Sequence, residues 1–125
     1  MKFLSLTLSL ILFSQMNNLI LSETASAESK NTYTVKISKR QVVGEKKIRV
    51  FQGDTITLLW QTDETVKLHL HGYDIKKTIA TNKITPMLIR ARATGRFPVT
   101  SHGFSGEKKH THGKGALFYI EVHPK

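Results

Sequence analysis

Apolar and polar residues alternate with a period of two along most of this chain after its first 30 residues. Tyr33, Val35 and Ile37 alternate with Thr34, Lys36 and Ser38, the pattern of a half-buried β-strand. Ile48 and Val50 alternate with Arg49 and Phe51. Gly53-Asp54 is a turn signal directly before Thr55–Trp60, where Ile56, Leu58 and Trp60 share a face. Between Val66 and His71, Leu68 and Leu70 project to one side and His69 and His71 to the other. Pro86 precedes Met87–Ala91, Gly95 turns into Phe97-Pro98-Val99, and Ala116, Phe118, Ile120 and Val122 share one face of a last strand. The only helical segment this pattern allows is a short turn around Lys76–Thr81. About six or seven strands at roughly ten-residue spacing predict an all-β antiparallel sandwich, with Trp60, Phe97 and Phe118 in its core.

The N-terminal segment has a different character. Lys2 is followed by an apolar and hydroxyl-bearing run from Phe3 to Phe13, and Ala25-Ser26-Ala27 has the small-x-small order of a cleavage site. Gln15, Asn17 and Asn18 interrupt the run, which makes it a poor spanning helix. Residues 1–27 are therefore expected to be a signal peptide, and residues 28–125 one exported domain, periplasmic or secreted. A segment of that size can bury a core without covalent staples.

The chain has no cysteine. That excludes thiol nucleophiles, zinc–thiolate sites and iron–sulfur clusters. Its formal charge is +10. The predicted leader carries Lys2 and Glu23, so its removal leaves that value unchanged. Such a charge favours an acidic protein partner or an anionic membrane surface, and export argues against nucleic acid.

Candidate chemistry rests on histidine. His69 and His71 stand two apart on a predicted strand, so both imidazoles project to one side, within reach of one ion. His102 is expected where the Gly95–Val99 strand hands over to a loop, and the Gly- and Lys-rich stretch from Gly103 to Gly115 carries His110 and His112. If that loop folds back beside the His71 strand, three or four imidazoles converge. Sites of imidazole with weak oxygen ligands suit Cu(II), and also zinc or nickel. The candidate ligands are His71, His102 and His112, followed by His69 and His110; His123, beside Pro124, is expected to be incidental. Tyr73 and Asp74 either orient a ligating imidazole or form a turn. No paired carboxylates and no Ser/His/Asp set stand out, and neither an open ligand position nor a substrate cleft is legible, so an enzyme is the weaker reading. The alternatives are a metal-free interaction domain using its basic surface, and a copper or zinc site with an enzymatic or redox role.

The segments Val50–Trp60, Leu68-His69-Leu70-His71-Gly72-Tyr73-Asp74 and Gly95-Arg96-Phe97-Pro98-Val99, with the histidine loop and the last strand into Val122-His123-Pro124, resemble the cupredoxins. The closer resemblance is to exported cupredoxin-like domains with a His-x-His-Gly-Tyr-Asp signature. It spans most of residues 33–124 and implies a Greek-key β-sandwich with a metal site at one end. His71 matches the family's first histidine, and His112 or His110 its loop histidine. Ser101 stands where the blue-copper cysteine is expected, and no methionine follows His112. Blue-copper sites need a thiolate bond to the metal. The resemblance therefore implies a non-blue, histidine-rich copper site, for copper handling or delivery.

Overall fold

The computed structural model describes residues 31–104 and 115–125. The predicted leader, His110 and His112 lie outside these residues. Nine strands form two sheets: β1 (Thr32–Ser38), β2 (Gln41–Val43), β3 (Lys47–Phe51), β4 (Thr55–Thr62), β5 (Val66–Leu70), β6 (Ile75–Ile79), β7 (Thr85–Arg90), β8 (Gly95–His102) and β9 (Phe118–His123). One sheet has the order β2-β1-β4-β7 and the other β3-β9-β8-β5-β6. The chain passes from one sheet to the other after β2, β3, β4, β6 and β7, a Greek-key route around a sandwich.

The alternation read from the sequence becomes the sandwich interior. Ile56, Leu58 and Trp60 of β4 face Leu68, Leu70, Phe118 and Ile120 of the other sheet in one buried cluster. The Trp60 and Phe118 rings meet edge to face, with centroids 5.7 Å apart, an arrangement the ring quadrupoles favour. Asp54 closes the turn before β4: its carboxylate accepts from the Phe51 amide at 2.9 Å, and its own amide donates to the Phe51 carbonyl at 3.0 Å.

Four expectations need correction. Residues 75–79 are a strand, not part of a helical turn. Each residue of β6 pairs with β5, from Ile75 with Leu70 to Ile79 with Val66. Local composition there, Lys76-Lys77-Thr78, carries little apolar signal because the strand lies at a sheet edge, so pairing rather than burial decides its state. The sandwich is also not purely antiparallel. β1 runs parallel to β4, and β3 to β9. Parallel neighbours require a crossover, which β2 and β3 supply for the first pair. The strand count among the described residues rises to nine because short β2 and edge-strand β6 escaped the period-two signal. Finally, β8 continues through Ser101 and His102, which pair with Leu68 and Lys67 instead of entering a loop.

Candidate metal centre

Adjacent strands β5 and β8 build the candidate site on the outer face of the five-stranded sheet. In their antiparallel register His69 lies opposite Thr100, and Lys67 opposite His102. Opposed residues point to the same face, and residues two apart do also. His69, Thr100 and His102 therefore project outward together, while Leu68, Leu70, Val99 and Ser101 project into the sandwich and are buried. His71 follows the last residue of β5, and its amide still donates to the Pro98 carbonyl at 3.0 Å. This bond extends the ladder by one step and holds the imidazole over the same face.

The three imidazoles converge. The rings of His69 and His71 are 4.0 Å apart and those of His69 and His102 6.1 Å apart, centre to centre. One ring nitrogen from each of His69, His71 and His102 lies within 4.8 Å of the others. Nitrogens bound to one ion at about 2.0–2.1 Å stand no more than about 4.2 Å apart. Small rotations of exposed His102 and half-buried His69 and His71 close that difference.

Thr100 marks the middle of the cluster. Its hydroxyl lies 2.8 Å from His71 Nε2 and 3.3 Å from His102 Nε2. A hydroxyl carries one proton and two lone pairs, so it can bridge two imidazoles and offer a weak oxygen donor. Behind His69, Asp74 Oδ1 is 3.1 Å from Nε2. The carboxylate accepts from that N–H, which fixes the tautomer and leaves the Nδ1 lone pair for a metal. Asp74 also occupies a turn position with φ 51°, a conformation that Asp and Asn tolerate. It thus forms the turn and also hydrogen-bonds His69.

The turn beyond His71 is held by packing. Gly72 has φ +85°, and a Cβ built on it would come within 2.5 Å of the Phe97 ring. Phe97 in turn meets the Tyr73 ring edge to face at 4.7 Å. The Tyr73 hydroxyl donates to the Ala93 carbonyl at 3.0 Å and accepts from the Ala93 amide at 3.2 Å. Gly72 thus lets the chain leave β5 beneath Phe97 while His71 stays aimed at Thr100.

Partial desolvation pushes the His71 imidazole below its ordinary range, and the neighbouring His69 and His102 push it the same way. A neutral imidazole is the form that binds a metal.

The geometry differs from the expected arrangement in three ways. His69, His71 and His102 meet on a sheet face, not at one end of the sandwich. Ser101 points to the opposite side of its strand from His102 and is buried, so its hydroxyl takes no part in the cluster. Thr100 was not singled out in the sequence. Its signal was there in retrospect: it stands two before His102 on one strand. Of the five candidate ligands, His69, His71 and His102 come together, and His110 and His112 lie outside the described residues. His123 stands apart on β9, 3.9 Å from Glu121.

No family model matches the chain, and no curated protein is similar to it in sequence. Solved structures are similar in shape. The periplasmic domain of subunit II of cytochrome oxidase from Bradyrhizobium japonicum superposes with a TM-score of 0.58 at 12% identity, covering 77% of this chain and 86% of that one. The fold is cupredoxin-like. A chain of a heme-copper terminal oxidase dimer gives the same TM-score of 0.58 at 16% identity, over 74% of this chain and 65% of that one. The copper nitrite reductase from Nitrosomonas europaea gives 0.55 at 16% identity, over 75% of this chain and 41% of that one. This chain thus spans less than half of the reductase chain.

The donor set fits copper. Three imidazoles with a nearby hydroxyl suit copper, as they do zinc or nickel, and no cysteine exists to supply a thiolate.

Proposed function

We propose that this protein is an exported, periplasmic or secreted, copper-binding protein. It holds Cu(II) in a non-blue site formed by His69, His71 and His102 and serves copper handling or delivery. The observation that carries the reading is the convergence of these three imidazoles on adjacent strands of a fold shared with copper proteins. Zinc is a weaker candidate for the same donors. A bound copper would supply Lewis acidity and a one-electron couple. The protein residues supply the rest. Desolvation favours the neutral form of His71, Asp74 orients His69, and Thr100 spaces His71 from His102. Exposed His102 is the ligand best placed to let go, which suits transfer to a partner more than permanent storage.

The basic surface supports a second reading, a metal-free domain that docks on an acidic protein or an anionic membrane surface. Titration with Cu(II) separates the two. His71→Ala should weaken binding at least tenfold, while His123→Ala should leave it unchanged. Equal affinities in two folded variants would favour the metal-free reading. The leader is tested by mass spectrometry of exported protein, which should begin at Glu28.

A further inference from the structure

Beside the histidine cluster runs an open groove of about 470 Å³, lined by His102 of β8, Lys67 and His69 of β5, and Lys76, Lys77 and Thr78 of β6. Among the described residues its lining carries three lysines and no carboxylate. The register explains the placement: Lys76 lies directly across from His69, and Lys67 directly across from His102. The nearby carboxylate, Asp74, is already engaged. Its Oδ1 lies 3.1 Å from His69 Nε2 and 3.9 Å from Lys76 Nζ.

Three neutral imidazoles leave a dication uncompensated, and the lysines add like charge around it. Such a site lacks anions on its open side. The Lys76 ammonium is mostly exposed and pairs with Asp74 only at 3.9 Å, a loose surface contact that it can exchange for a bound anion. Cross-strand neighbours stand about 4.5–5.5 Å apart at Cβ, and residues two apart on a strand about 6.6–6.8 Å. The groove therefore offers two neighbouring electropositive points, the imidazole cluster and the lysine pair beside it, which a ligand with two anionic ends can engage together.

We infer that this groove binds a small dicarboxylate, with one carboxylate on the metal's open position and the other between Lys67 and Lys76. The inference rests on the copper reading and gives the site a ligand class: copper is accepted or released as a mixed complex with an organic acid. The lysines act as anion-binding groups, and Thr78 adds a hydroxyl to the groove wall.

The test uses the mature protein in non-coordinating buffer at constant ionic strength. Cu(II) affinity is measured against a competing chelator, with and without succinate, and with inorganic phosphate as a second arm. The copper electron-resonance spectrum is recorded in each state. The expected result is an approximately tenfold gain in apparent copper affinity with succinate, a coupling of ordinary size, accompanied by a changed spectrum. In Lys67→Gln/Lys76→Gln the gain should vanish, while affinity without succinate does not fall. Copper binding that ignores succinate, or a gain that survives in the double variant, overturns the inference and leaves the copper site standing. An equal, lysine-dependent gain with phosphate overturns the assignment to a dicarboxylate. Absence of copper binding by the wild type overturns both the site and the inference.

Discussion

Gly72→Ala puts the packing behind His71 to a quantitative test. The substitution has two separable costs. Gly72 sits at φ +85°, where a residue with a Cβ loses about 1 kcal/mol relative to glycine. The new methyl would also stand 2.5 and 2.8 Å from two carbons of the Phe97 ring. That ring is packed against Tyr73 and cannot move freely, so overpacking adds about 1–3 kcal/mol. The sum, about 2–4 kcal/mol, corresponds to a Tm decrease of about 10–25 °C for a domain of this size. Gly44→Ala is the control. It has φ +87° and nothing within 4 Å of the added Cβ, so it carries the backbone cost alone. Thermal unfolding followed by far-UV circular dichroism should place Gly72→Ala well below Gly44→Ala. Replacing the ring in Gly72→Ala/Phe97→Leu should recover part of the difference. Equal Tm values for the two glycine variants would refute the claim that Phe97 clamps the turn.

Three further outcomes follow from the same geometry. Asp74→Asn keeps a residue that tolerates φ 51° but removes the carboxylate from His69; copper affinity should fall about tenfold with Tm unchanged, as for other groups that orient a ligand. Thr100→Val removes the hydroxyl between His71 and His102; stability should change by no more than about 1.5 kcal/mol, while the copper electron-resonance spectrum should shift, and an unaltered spectrum would exclude Thr100 from the site. Asp63 is held below the ordinary carboxylate range by the Lys39 amide and the Ser38 hydroxyl; its folded-state value lies below its unfolded one, so its contribution is present above about pH 4 and is lost as pH falls through the folded value. Asp63→Asn should therefore flatten the acid limb of a stability–pH curve, and an unchanged limb would contradict the assignment.

Much of this fold was legible because one face of most strands is buried. Ile56, Leu58 and Trp60 alternate with half-exposed partners, and Phe118, Ile120 and Val122 do the same. What escaped was set by pairing and not by burial. β6 shows three exposed residues in a row, Lys76, Lys77 and Thr78, and the strand exists because β5 offers it a ladder. The parallel pairs were equally hidden, since alternation tells which residues face inward and not which strand lies alongside. The same limit applied to the site. His69 and His71 were visibly on one face, yet Thr100 becomes their neighbour only through the register of β5 with β8, and Ser101 turns away because it is one residue out of phase.

The most direct test of the central claim is pulsed electron resonance of the Cu(II)-loaded mature protein, counting coordinated imidazoles in the wild type and in single alanine variants. The account predicts a spectrum without thiolate character, with one imidazole lost in each of His69→Ala, His71→Ala and His102→Ala and none lost in His123→Ala. A copper signal that persists unchanged in His69→Ala/His71→Ala/His102→Ala would contradict it.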